Sequence, residues 1–178
     1  YTTLFRSRCR RGSLWYNAEK DMTVQTQETG KVVSSVIAQS WHRCSKFMQR
    51  ETWQTPHQAQ GLTFDSICRR KTALLTIGQA ALEDAWEFMD GRPCALFILD
   101  ESACILSRCG EPQTLAQLAA LGFRDGSYCA ESIIGTCALS LAAMQGQPIN
   151  TAGDRHFKQA LQPWSFCSTP VFDNHGRL

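Results

Sequence analysis

Apolar and polar positions follow several rhythms along this chain of 178 residues. Val33, Val36, Ile37, Trp41, Cys44, Phe47 and Met48 recur at steps of three and four, with Arg43, Lys46 and Arg50 off that stripe. This is the period of an amphipathic helix, predicted over 31–50. Pro56 and Gly61 then break the chain. A second helix is predicted over 64–89, carried by Phe64, Ile67, Leu74, Ala81, Leu82, Ala85, Trp86 and Met89. Asp90-Gly91 followed by Pro93 ends it.

After Pro93 the texture changes. Residues 94–99, CALFIL, form a short unbroken apolar run that suits a buried strand, and 104–107 read as its return after the turn Asp100-Glu-Ser-Ala. Pro112 opens a helix reaching Leu121. The segment 125–141, DGSYCAESIIGTCALSL, combines a glycine turn, a short loop holding one carboxylate, and a Gly-Thr step into an apolar helix predicted over 133–144. Residues 148–151 suit an edge strand, because proline cannot donate to a ladder. Asp154 is placed to cap a short helix over 155–161. Residues 164–172 alternate as a strand does, and 172–178 read as strand, turn and the start of another strand. Hairpins mixed with helices in this order predict an α+β domain: an antiparallel sheet with helices packed on it, preceded by a two-helix extension.

Composition narrows the function classes. A net charge of +2 gives no nucleic-acid footprint, and the longest apolar run is far too short to span a bilayer. Nine cysteines is a high number, but there is no export signal, and Cys44, Cys68, Cys94, Cys104, Cys137 and Cys167 sit within apolar patterns. They read as reduced core thiols of a cytoplasmic protein. No CxxC pair exists and the four histidines are scattered, so no metal site is expected. There is no GxxxxGK[ST] loop, so ATP hydrolysis is not expected of this segment.

The ends read differently from the middle. YTTLFRS, residues 1–7, resembles the translation of a sequencing-adapter oligonucleotide. The native chain is expected to start at Met22, which leaves 1–21 as read-through outside the fold. Residues 22–63 then form an N-terminal segment with the first helix, and 64–178 a long helix leading into the main domain. The other end looks cut inside a hairpin.

Four stretches carry a resemblance: CALFILDESACIL (94–106), IIGTCALSL (133–141), GDRHF (153–157) and WSFCSTPVFDNHGRL (164–178). Together they resemble a GAF sensor domain. IAQSWHRC (37–44) resembles the helix that precedes the sensor in sigma-54-dependent transcription activators, and the series from about Val36 to Leu178 is similar to regulators of dihydroxyacetone kinase operons. The resemblance implies a sensory module without catalysis and without a cofactor. It implies dihydroxyacetone kinase subunits as partners, a homodimer in the intact protein, and a cytoplasmic location, with no DNA contact by this segment and no membrane. It also implies a sheet that lacks its last strands, so that the 94–99 strand is left unpaired on one side. A small-molecule-binding GAF sensor is the competing expectation, and a GAF-type methionine sulfoxide reductase a more distant one.

The resemblance gives Tyr128, Glu131, Ile134, Thr136, Cys137 and His156 as cavity-lining, ligand-binding candidates, with no catalytic residue. Many GAF relatives carry glycine, threonine and asparagine where this chain has Ala130-Glu-Ser132. That favours an apolar, ligand-free interior. Glu131 is read either as a carboxylate on a helix N-terminus or as a ligand contact. His156 is either a solvated or structurally bonded residue on a surface helix, or a partner for Cys129. Cys109 would be activated if Arg108 met it in space, although neighbours on a strand point to opposite faces. Trp41 and Arg43 are read either as an interaction element or as structural, Trp41 anchoring the first helix on the second and Arg43 pairing nearby; Arg69-Arg70-Lys71 is read as a solvated face or an acidic-partner surface.

Overall fold

The computed structural model describes residues 2–7, 25–89 and 92–172; side chains are described from residue 35 onward. Five strands form one antiparallel sheet, β1 (Thr2–Ser7), β2 (Ala95–Leu99), β3 (Ile105–Gly110), β4 (Ile149–Ala152) and β5 (Trp164–Thr169), in the order β3-β2-β1-β5-β4. Helix α1 (Gln25–Cys44) precedes α2 (Leu62–Arg70) and α3 (Thr72–Glu87); α4 (Pro112–Ala120), α5 (Glu131–Ile134) and α6 (Ala138–Gln145) lie between β3 and β4. The α+β class and the hairpin are as the sequence predicts.

The unbroken apolar run reflects two-sided burial: every residue of β2 is buried. Leu96 and Ile98, with Leu106, pack under α2 and α3 against Ile67, Leu82 and Trp86. Ala95, Phe97 and Leu99 face a larger core with Phe123, Ile134, Leu139, Trp164 and Phe166. On β5 the burial alternates strictly, with Trp164, Phe166 and Ser168 inside and Ser165, Cys167 and Thr169 exposed. Cys167 therefore departs from the core reading, whereas Cys44, Cys94, Cys104 and Cys137 are buried free thiols. Cys9 lies outside the described residues.

Several boundaries differ from the sequence reading, each for a local reason. The first helix stops at Cys44 because the backbone beyond it is used elsewhere. Lys158 Nζ donates to the carbonyls of Gln49 (2.6 Å) and Thr52 (2.9 Å), and Gln159 N donates to Arg50 O at 3.0 Å. The second helix is kinked at Lys71, whose φ of −107° and ψ of 20° depart from helical values. The helix foreseen over 133–144 is two helices, because Gly135 adopts φ 74° and ψ −161°. No helix fills 155–161: two single 3-10 turns, Gly153–Arg155 and Gln159–Leu161, flank an extended stretch whose His156 is buried. Trp41 anchors α1 on this stretch rather than on α2–α3. Its Nε1 donates to Arg155 O at 3.0 Å, and its ring meets Phe157 edge-on at 5.3 Å.

Residues 2–7, expected to stand outside the fold, form the central strand. Thr3 pairs with Phe97 on one side and Ser168 on the other, so the edge of β2 foreseen as unpaired is paired. Residues 8–21, and residues 173–178 where a turn and a further strand are expected, lie outside the described residues.

Residues 125–129 are clamped from both sides. Gly126 N donates to Ile105 O at 2.7 Å, Ile105 N to Ser127 O at 2.9 Å and Cys129 N to Ala103 O at 2.8 Å; on the other side Ala59 N donates to Gly126 O at 2.9 Å and Tyr128 N to His57 O at 3.1 Å. Gly126 sits at φ +84°, and a Cβ there would overlap the carbonyl oxygen of Ala59. Gly61, at φ +54°, has open space where its Cβ would point. Chemical denaturation should separate the two. Gly61→Ala is expected to cost about 2 kcal/mol, backbone strain alone, because φ 54° with ψ −133° suits glycine. Gly126→Ala is expected to cost about 3 kcal/mol, because backbone must also move.

Candidate functional site

The segment that follows the clamp closes the larger core and is tied to α1. Ser40, Arg43 and Cys44 stand at i, i+3 and i+4 and so share one face of that helix. Glu131 opens α5 and is 9% exposed. Its Oε1 accepts from Ser40 Oγ and, at 2.8 Å, from Arg43 Nη2; its Oε2 accepts from Arg43 Nε at 2.9 Å. The guanidinium thus grips the carboxylate as a fork, the strongest geometry for such a pair. The Ser40 hydroxyl also shares a 2.7 Å hydrogen bond with Thr136 Oγ1, and Cys44 Sγ lies 3.7 Å from the same oxygen. Glu131 and Thr136 are therefore occupied by α1.

Thr151 and Ser140, next to this network, are satisfied within the fold. Thr151 Oγ1, from β4, accepts from Ala138 N at 2.9 Å and caps α6 from another element. Ser140 Oγ donates to Cys137 O at 2.9 Å and Gly135 O at 3.2 Å. A Cβ on Gly135 would come within 3.3 Å of Met48 Sδ and Phe157 Cβ, so this glycine permits close packing.

Tyr128 stands apart from the other five cavity candidates. Ile134 and Cys137 are fully buried in the larger core. Tyr128 packs with the other core, on the α2–α3 side of the sheet, with its ring 5.9 Å from His57. His156, placed by the sequence on a surface helix, is 0% exposed. Its ring lies 5.2 Å from Phe166, edge to face, and its Nε2 is 3.2 Å from Trp164 O. Among the clefts of the described surface are one of about 480 Å³ beside Lys46, Met48, Gln49 and Lys158, and one of about 230 Å³ beside Pro56, Gln58 and Arg124. None of the six candidates lines either cleft.

The thiols are poorly set up as nucleophiles. Burial pushes Cys137 up to about 12 and Cys129 well above the usual thiol value, and burial raises Cys109 as well. Arg108 does not activate Cys109, since it faces Asp125 (Nε to Oδ1, 2.8 Å) and the carbonyl of Phe123 (3.0 Å). A raised pKa keeps the thiol protonated and unreactive.

Ser40 and Lys158 went unnoticed in the sequence. Ser40 had a signal: it is a polar residue on the apolar face set by Val36, Ile37 and Cys44. Lys158 had none, because its partners are backbone carbonyls.

A GAF domain model matches residues 73–178. The chain is 87% identical over 157 residues to the glycerol metabolism operon regulatory protein of Citrobacter freundii, covering 88% of this chain and 24% of that protein. It is 69% identical over 149 residues to the PTS-dependent dihydroxyacetone kinase operon regulatory protein of Escherichia coli (strain K12), covering 84% of this chain and 23% of that protein. It thus spans about a quarter of the length of these curated relatives. The crystal structure of the E. coli DhaR(N)–DhaL complex contains a chain that matches with a TM-score of 0.79 and 71% identity, over 80% of this chain and 49% of that one.

His156 yields a pH prediction. Burial lowers its pKa from 6.5 to about 4, partly opposed by the backbone carbonyls of Thr136, Trp164 and Thr151. The unfolded chain therefore takes up this proton first. The contribution is fully present above pH 6.5, is lost as pH falls from 6.5 towards 4, and levels off below. The loss amounts to about 3 kcal/mol. Urea unfolding at stepped pH should show this slope, and the difference between wild type and His156→Asn should isolate it.

Proposed function

The chain belongs to the GAF domain family, and from that premise we propose that it is the sensory portion of a cytoplasmic bacterial transcription activator, homodimeric when intact, that responds to dihydroxyacetone kinase subunits by binding them. The observation that carries this reading is the likeness to a chain solved in complex with DhaL. The operon regulators named above support the transcriptional role. The site geometry agrees with sensing by protein contact. The polar groups of the closing segment, Glu131 and Thr136, are engaged by α1, which leaves them poorly placed to hold a polar metabolite.

The module is non-catalytic in this reading, because its buried thiols are held protonated. Among the described residues no helix is long and apolar enough to cross a membrane. Binding would act as a population shift: a partner that prefers one packing of α1 against the GAF core biases the helix, and through it the rest of the regulator.

The test is a calorimetric titration of the chain with each purified kinase subunit, the nucleotide-binding one loaded with ADP. Saturable binding by at least one subunit is the expected result. Dihydroxyacetone or glycerol alone should leave the melting temperature unchanged. Failure of both subunits to bind overturns the reading. Stabilisation by a metabolite, which would reach about 2.7 kcal/mol at one hundred times its dissociation constant, would replace it with small-molecule sensing.

A further inference from the structure

The loop that follows α1 and the extended stretch after His156 meet at the cleft of about 480 Å³. Lys46, Met48, Gln49, Thr52 and Gln54 line it from the loop, and Lys158 lines it from the GAF core. Lys158 is 4% exposed, yet none of the ion pairs among the described residues includes it. Its ammonium is held instead by neutral acceptors, the carbonyls of Gln49 and Thr52, which place two of its three N–H groups. A buried cation is costly when no counter-charge meets it. Burial accordingly lowers the pKa of this lysine, with the charge of the exposed Glu51 opposing the shift in part.

Charge and size together define what the cleft can hold. Its charged lining residues are two ammoniums, Lys46 and Lys158, and among the described residues no carboxylate lines it. Arg50 is engaged elsewhere: its guanidinium lies over the Trp41 ring, 4.5 Å from the centroid, and its Nε donates to Phe157 O at 3.4 Å. Two cations without an acid suit a doubly charged anion better than a carboxylate. A phosphate monoester carries a charge of about −1.5 to −2 at pH 7. The volume lies within the range of about 300–1,000 Å³ usual for small-molecule sites, so a small organic remainder fits beside the phosphoryl group. Phe47 and Met48 offer that remainder an apolar wall.

We propose that this cleft is a binding site for a small phosphate monoester, with its phosphoryl group held between Lys158 and Lys46. The site is separate from the interior space expected from the sequence, since none of the six candidates there lines it. It stands on the cleft alone and does not depend on whether kinase subunits bind. Its position gives it a consequence for α1. One wall is the loop that continues that helix, and the other is the stretch on which Trp41 packs. Met48 reaches from the cleft to Gly135, where α5 gives way to α6. An anion that bridges the two walls fixes the end of α1 against the core.

Carbon-13 NMR of the 178-residue chain with labelled methionine methyl groups reads the cleft directly, with the Met48 signal assigned through Met48→Leu. Inorganic phosphate is the probe, titrated against chloride at equal ionic strength. The Met48 signal should shift saturably, with a dissociation constant of about 1 mM or below. Met144, exposed on α6 and outside the cleft, should not move. Lys46→Glu and Gln54→Glu change exposed lining positions and should each weaken binding at least about tenfold, with an unchanged circular dichroism spectrum. Acetate should bind at least about tenfold more weakly than phosphate, because it brings a single charge. Arg124→Glu, at the smaller cleft, should leave the titration unchanged. The proposal is overturned by a Met48 signal that fails to saturate, by binding that survives both Lys46→Glu and Gln54→Glu, or by acetate binding as tightly as phosphate. Loss of phosphate binding in Arg124→Glu instead would also overturn it, by placing the anion elsewhere.

Discussion

The buried carboxylate of Glu131 ties the segment that closes the core to helix α1. It receives three hydrogen bonds from Ser40 and Arg43, about ninety residues earlier, and it sits where the chain closes the core. A carboxylate at 9% exposure is costly unless its charge is met, and the Arg43 fork together with the serine hydroxyl meets it. Arg43 keeps part of its guanidinium in solvent, which lowers the cost of the pair. Without α1 the carboxylate would face the core alone, and without the carboxylate the polar face of α1 would lie against apolar surface. Helix and closing segment are therefore mutually dependent, and this dependence gives α1 a defined seat on a domain with which it shares no sheet.

Everything around that seat narrows the freedom of the closing segment. The backbone of 125–129 is bonded on both sides, Gly126 fits where no side chain could, and Thr151 reaches across from β4 to cap α6. Below it lie aromatic and aliphatic side chains and protonated thiols. In the proposed reading a segment fixed in this way transmits rather than receives. A shift of α1 must alter Glu131 and Thr136, and a shift of the closing segment must alter α1. That reciprocity lets a contact on one part of the domain reach a helix that leaves it.

What the sequence made legible follows from what its signals mean physically. The CALFIL run reported a strand buried on both faces, and the alternation from Trp164 reported one buried on a single face. Both were readable because burial pattern and secondary structure coincide there. Glu131 was legible as a carboxylate at a helix start but not as the partner of Arg43, because the pair joins residues 88 apart and nothing local predicts it. Ser40 could have been found, since a hydroxyl on an apolar helical stripe calls for a buried acceptor. The burial of His156 was missed because Asp154-Arg155 looks like a helix start, whereas the chain turns the ring towards Phe166 and the sheet. The break at Gly135 was hidden by a composition that suits a continuous helix; only its backbone angles, which a glycine tolerates, reveal it. The strand at Thr2–Ser7 was set aside for its unusual sequence, and its backbone nonetheless completes the sheet.

The central claim is that Arg43 and Glu131 act as one unit joining α1 to the GAF core. A double-mutant cycle on unfolding free energy, using Arg43→Ala, Glu131→Gln and the double variant, measures that union directly. A coupling of about 2 kcal/mol or more is predicted, with the double variant less damaged than the sum of the singles. Additive losses, with a coupling within about 0.5 kcal/mol of zero, would mean that the helix and the closing segment are held independently, and would contradict the account.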